Sequence, residues 1–214
     1  MSAVAHINQY KTGLFYTDEF RGDNSWNGYE HNVLFRNEGL DKNGLPQFSN
    51  VAMALGTDDI KDSRGVATAD FDNDGDMDIV VSTNPGDLKR AARVTPTLLR
   101  NNIGTSRNWL AIELQGVESN RDGIGAEVAI ETAEGRQISH VTAGGAYASQ
   151  QSMRLYFGLN EAIMVNKLTV SWPSGKTDQF EDISAKQLAR ITEGGGIEYF
   201  TLPSVDKQSM LSAR

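Results

Sequence analysis

Residues 70–78 read Asp-Phe-Asp-Asn-Asp-Gly-Asp-Met-Asp, with a carboxylate at every second position. Like charges at that density repel, whatever secondary structure carries them. The arrangement becomes favourable when the backbone wraps a hard cation, and oxygen ligands of this kind suit calcium. Counting Asp70 as position 1, Asp70, Asp72 and Asp74 fill positions 1, 3 and 5. Gly75 at position 6 permits the sharp turn, Asp76 at position 7 offers its backbone carbonyl, and Asp78 at position 9 offers a carboxylate directly or through water. Magnesium suits the loop less well, because it rarely accepts an all-protein cage. The bland alternative is a solvated acidic turn that holds no ion.

The flanks decide what fold carries the loop. The helical calcium hand shares these first positions but needs a glutamate at position 12, where this chain has Val81. Val66-Ala-Thr-Ala69 on one side and Ile79-Val-Val-Ser82 on the other favour strand. The unit is therefore read as strand–loop–strand.

The rest of the chain agrees with an all-β protein. Its 214 residues, with 21 glycines and many turn dipeptides, point to short strands joined by turns. Residues 1–30 read as an irregular arm. Residues 31–105 read as the cation-binding unit: Asn32-Val-Leu-Phe-Arg-Asn37, a turn at Asp41-Lys-Asn-Gly44, and an extended Gln47-Phe-Ser-Asn-Val51 precede the loop. Val33-Leu-Phe-Arg-Asn37 is echoed by Thr97-Leu-Leu-Arg-Asn101, a spacing of roughly 60 residues that fits a propeller-like repeat and the start of a second. Residues 106–196 read as an antiparallel β-sandwich. Leu110–Leu114 alternates, 127–131 with 137–141 and 167–172 with 177–180 look like hairpins, and 188–191 reads as a last strand. Residues 197–214 read as a C-terminal tail.

Charge and composition exclude several functions. Of the net −8, residues 58–78 carry −6: eight aspartates against Lys61 and Arg64. No basic face is visible for nucleic acid. With no cysteine, there are no disulfides, thiolate zinc sites or cysteine nucleophiles. No apolar run approaches transmembrane length. The first ten residues show no secretory pattern, so the chain is expected to stay inside the cell or to be a mature or trimmed form.

Other motifs carry less. Arg21-Gly22-Asp23 matches an integrin-recognition tripeptide, a length at which chance matches are common. Asn120-Arg121-Asp122 reads as a turn, with Arg121 and Asp122 pairing locally. Ala143–Ser149 is glycine-rich without the lysine of a phosphate loop, and close backbone packing is its expected role. His6, His31 and His140 lack metal-ligand spacing. Trp26, Trp109 and Trp172 are expected to be core or strand-end anchors, with a sugar-stacking platform as the alternative.

Residues 64–83, together with Asn32–Gly39, resemble an FG-GAP (VCBS-type) repeat, the calcium-binding blade also used in integrin-type β-propellers. Asn108–Gly116, Ser119–Ala126, Leu155–Leu159 and Val170–Gly175 resemble the ASPIC/UnbV domain. The layout is similar to that of the cartilage-acidic-protein group and its bacterial relatives. The resemblance implies calcium, β-structure and usually an extracytoplasmic location, with no established enzymatic activity. Full members carry several repeats, and this chain has about one.

The sequence thus predicts a non-catalytic, calcium-bound all-β protein. An incomplete propeller-type FG-GAP unit is packed on an antiparallel sandwich, with Asp70, Asp72, Asp74, Asp76 and Asp78 as the metal residues. One blade has open strand edges and cannot bury both faces alone, so an interaction module or accessory subunit of a larger protein assembly is the expected role. The alternatives are a carbohydrate-binding module and an ancillary enzyme of sugar or secondary-metabolite chemistry.

Overall fold

Short alternating runs bounded by turn residues become strands throughout the chain. The computed structural model describes residues 30–61, 63–83, 96–147 and 149–202. The arm before residue 30, the Arg21-Gly22-Asp23 tripeptide, His6 and Trp26 lie outside the described residues. In order, the elements are β1 (Phe35–Leu40), β2 (Pro46–Asn50), a short helix α1 (Ala52–Leu55), β3 (Ser63–Ala69), β4 (Asp78–Thr83), β5 (Thr97–Leu99) and a 3-10 turn (Gly104–Ser106). Then follow β6 (Asn108–Gln115), β7 (Glu127–Thr132), β8 (Gly135–His140), β9 (Leu155–Asn160), β10 (Met164–Ser171), β11 (Thr177–Ser184), β12 (Gln187–Thr192) and β13 (Ile197–Phe200). The fold is all-β, and among the described residues no sheet closes into a barrel. The sheet orders are β1-β2, β3-β4-β5, β11-β10-β7-β8 and β13-β12-β6-β9.

Two compact units divide the chain: Met1–Gly65 with Val80–Leu99, and Val66–Ile79 with Arg100–Arg214. The division passes through β3 and β4. The aspartate loop between those strands therefore falls in the second unit.

In the first unit, β1 and β2 pair antiparallel from Phe35↔Asn50 to Leu40↔Pro46, with an irregularity between Asn37 and Gly39. Asp41 ties their turn: its Oδ1 accepts the backbone N–H groups of Asn43 and Leu45, both at 2.8 Å. Such Asx geometry is what the Asp-Lys-Asn-Gly sequence encodes. Helix α1 was not expected, because four residues are too few to show a helical period; Gly56, at φ +69°, ends it in the left-handed region. The sequence echo has a physical counterpart. Asn37 Oδ1 accepts the N–H of Gly39 at 2.8 Å, and Asn101 Oδ1 accepts that of Ile103 at 3.0 Å. Val33, Phe35, Leu40, Leu45 and Phe48 all remain exposed, the least of them at 58%.

The second unit has two four-stranded sheets whose inward residues form one cluster. Leu110 and Ile112 of β6, Phe157 and Leu159 of β9 and Ile191 of β12 meet Val128 and Ile130 of β7, Val165, Leu168 and Val170 of β10 and Ile183 of β11. Each such side chain contributes roughly 1.5–3 kcal/mol on burial. Both expected hairpins are present, β7 with β8 and β10 with β11. One ladder departs from the antiparallel expectation: β12 runs parallel to β6, from Gln187↔Leu110 to Thr192↔Gln115. Lys186 starts it by donating its N–H to the Trp109 carbonyl at 2.7 Å. A further strand, β13, pairs antiparallel with β12 beyond the Glu-Gly-Gly-Gly run at 193–196, inside the segment read as a tail. Trp172 is buried and donates its indole N–H to Asp178 at 2.8 Å.

Glu193 is a buried acid in this unit. Its Oε2 accepts the backbone N–H groups of Val117, Glu118 and Ser119, each at 2.7 Å. Its Oε1 accepts the Ser119 and Ser174 hydroxyls. Burial alone would raise its pKa. The Ser174 hydroxyl and the Ser119 and Val117 amides outweigh it and hold the group at about 2.

Candidate metal centre

Strands β3 and β4 deliver the two ends of the aspartate loop, with Asp70 just past β3 and Asp78 opening β4. Asn73 at φ +56° and Gly75 at φ +95° turn the chain between them. The turn folds the side chains inward. Asp70, Asp72, Asp76 and Asp78 are all buried, and Asp74 is half-buried.

Part of this charge is met by backbone donors. Asp70 accepts the N–H groups of Asp74 at 3.1 Å and Gly75 at 3.0 Å. Asp78 accepts those of Phe71 at 3.0 Å and Asn101 at 2.8 Å. Asp74 Oδ1 accepts from Asp76 N–H at 3.3 Å, and Asp76 Oδ2 from Gly104 N–H at 3.1 Å. Among the described residues, four buried oxygens have no hydrogen-bond partner: both of Asp72, Oδ2 of Asp74 and Oδ1 of Asp76. Arg100 approaches the loop, its Nη1 lying 3.7 Å from Asp72 Oδ2.

The unmet charge shows in the proton affinities. Burial first, then the charges of Asp74 and Asp78, push Asp76 from 3.8 up to about 6, although the Gly104 amide opposes them. Asp70 and Asp74 move up as well, chiefly through burial. Buried acids of one sign without partners are costly, and a divalent ion removes that cost.

One oxygen each of Asp70, Asp72 and Asp78 lie within 4.8 Å of one another. Calcium–oxygen distances of 2.3–2.6 Å place ligands on opposite sides of one ion about 5 Å apart, so this trio has the right size. The structure thus gathers three of the five expected residues. Asp74 and Asp76 stand outside that trio, each with one orphaned oxygen. The donor set, all oxygen and largely anionic, fits a hard cation such as calcium.

Several residues that seat the loop are remote in sequence and were not expected. Gly75 lies under Trp109: a Cβ at Gly75 would fall 1.8 Å from Trp109 Nε1. The glycine is therefore required twice, for its positive φ and for this approach. Gly104 is similarly confined, a Cβ there meeting that of Asp76 at 2.5 Å. Behind the loop, Gln151 Oε1 accepts both the N–H of Thr68, at 2.6 Å, and its hydroxyl, at 2.9 Å. Ser149 donates its hydroxyl to the Val66 carbonyl at 2.6 Å. Asn101 was visible only as the end of the Leu-Arg-Asn echo. Trp109, Gly104 and Gln151 left no local signal.

The remaining motifs take structural places. Asn120 closes its turn on Ile124 through both its amide and its carbonyl, as expected of a turn asparagine. Arg121 and Asp122, expected to pair, show no ion pair with each other among the described residues. Gly144 does not serve close packing: nothing lies within 4 Å of a Cβ there, and its φ of +93° is what calls for glycine. His31 faces the Asp58 carbonyl and His140 faces Glu127, far apart in the chain. Trp109 and Trp172 are buried, so neither offers an open stacking face. Among the described residues no helix is long and apolar enough to cross a membrane.

Comparison with known families follows the same lines. A family model of the FG-GAP-like repeat matches residues 19–81, which include the aspartate loop. The model described as ASPIC and UnbV matches residues 116–198, from just after β6 into β13. No curated protein matches the chain.

Proposed function

From the premise that the chain carries an FG-GAP-like repeat followed by an ASPIC/UnbV domain, we propose that it is a non-catalytic calcium-binding interaction module, an accessory subunit of a larger protein assembly. The observation that carries the calcium reading is the set of four buried carboxylate oxygens without hydrogen-bond partners. Calcium held by Asp70, Asp72 and Asp78, with Asp74 and Asp76 completing the oxygen set, supplies positive charge beyond the ion pair with Arg100. The ion acts as a staple: it fixes the loop on which Trp109 and the 101–104 segment rest, and so joins the end of the repeat to the following domain's first strand.

The interaction reading draws on the β1–β2 hairpin. Exposed Phe35, Phe48 and Leu40 on a two-stranded sheet give it little core of its own, and isolated hairpins are marginal in water. A protein surface that covers them is the partner this reading requires.

Calorimetric titration of calcium into chelator-stripped protein tests the first half. One site is expected, lost in Asp72→Ala. Absence of binding heat in the native sequence overturns it. Purification from the native source with and without chelator tests the second half, where a single discrete partner is expected and a chain that elutes alone in both buffers refutes the role.

A further inference from the structure

The second unit also has an open groove of about 510 Å³ lined mainly by polar side chains, with Leu114 and Met153 among them. Its floor is a row across three neighbouring strands. Glu113 of β6 stands opposite Arg190 of β12, and Arg154 immediately precedes β9. Glu113 Oε1 accepts from Nε and Nη2 of Arg154, at 2.9 and 2.5 Å. Its Oε2 accepts from Nε and Nη2 of Arg190, at 3.3 and 3.0 Å. One carboxylate therefore orients two guanidinium groups and neutralises one of them. Arg154 is fixed further by the Tyr156 hydroxyl at 3.3 Å, and Arg190 lies 4.7 Å from the centre of the Phe200 ring.

The rim adds Arg121 and Asp122, both exposed, and Ser152. Three arginines against Glu113 and Asp122 leave the groove at +1, on a chain of net −8. Held guanidinium groups suit planar oxyanions, since little side-chain entropy remains to be lost on binding. The groove also supplies acceptors and a hydroxyl beside the cations, and its volume accommodates a sugar ring with substituents.

We propose that this groove binds an acidic sugar of the hexuronate class. Its carboxylate meets Arg121 and the outer edges of Arg154 and Arg190, and its hydroxyls meet Asp122 and Ser152. The groove borders the cation loop, because the Tyr156 hydroxyl that holds Arg154 also meets Asp70, so calcium is held constant in the test.

The test is a titration of the full chain at fixed calcium with glucuronate, followed by backbone amide shifts, with glucose, acetate and inorganic sulfate as comparison probes. Saturable shifts around Arg121, Ser152 and Arg154 are expected with glucuronate, and weaker binding with the other three. Arg121→Gln should raise Kd about tenfold, the value of one charged hydrogen bond. Arg136→Gln, on β8 and outside the groove, should leave it unchanged. Arg121 is exposed, so its variant should keep the native melting temperature. As a second variant, Asp122→Asn should weaken glucuronate binding and leave acetate binding unchanged. Three results overturn the proposal: glucuronate no tighter than glucose, acetate or sulfate as tight as glucuronate, or an Arg121→Gln variant with native affinity. The last also exposes a sugar acid bound through calcium.

Discussion

Glu193 and the aspartate loop both bury carboxylates in the same unit, with opposite outcomes. Glu193 collects donors from three consecutive amides and two hydroxyls, and its pKa falls to about 2. The loop shares its backbone donors among several acids, so each carboxylate receives fewer, and Asp76 rises to about 6. The folded chain therefore meets the whole demand of one buried acid from its own atoms and leaves the other unmet. Burial of a carboxylate alone says nothing of a ligand; burial without donors does.

The largest effect that could break this contrast is chelation. Calcium at a hundred times its Kd stabilises by about 2.7 kcal/mol, so removing it should lower the melting temperature by several degrees. Asp72→Asn should abolish the difference between the two buffers. It should also melt above the native chain in chelator, because it deletes a buried charge whose oxygens accept no hydrogen bond and whose ion pair with Arg100 is long, at 3.7 Å. Identical melting curves of the native chain in calcium and in chelator would end the comparison. Next comes Glu193→Ala, which strands the amides of 117–119. Its loss of stability should be the same in calcium and in chelator, since no ion substitutes for Glu193. A chelator-dependent loss would mean that the two sites are one system.

Acid should separate the two regions by sign. In chelator, folding raises the Asp76 pKa from 3.8 to about 6, so the folded state holds the proton more tightly and stability increases as pH falls through that window. Asp70 and Asp74 act in the same direction. The Glu193 pKa moves from 4.5 to about 2, so its contribution is complete above 4.5 and is lost as pH falls toward 2. Melting temperature in chelator should therefore rise on acidification from neutrality and then fall. In calcium the first rise should be absent, because protons then compete with the ion. A rise of equal size in both buffers would count against a bound cation.

The smallest effect concerns the hairpin. Phe48→Ser, at an exposed site, should change stability by no more than about 0.5 kcal/mol while weakening association with a native partner. A large stability loss would show that Phe48 belongs to a core and not to a docking face.

Local chemistry explains what could be read from the sequence. The hairpins at 127–140 and 164–184 were legible because alternation and turn residues are properties of neighbours. So was the loop, whose five aspartates announce themselves by spacing. The parallel pairing of β12 with β6 was not, because long-range register leaves no mark on either strand alone. Nor was the strand β13, hidden behind three glycines. The seat of the loop stayed invisible for the same reason: Trp109, Gly104 and Gln151 reach it from 28 residues or more along the chain. Gly75 was read as a turn glycine, and only the fold shows the indole that rests on it.

That indole gives the loop an optical gauge of its own. Trp109 sits against the backbone at the bend, so its emission should follow whatever fills the space among the carboxylates. Trp172, sealed in the sandwich with its N–H on Asp178, should stay constant and serve as an internal reference. With Trp26 replaced by phenylalanine, the ratio of the two signals reads occupancy directly, without dye or label.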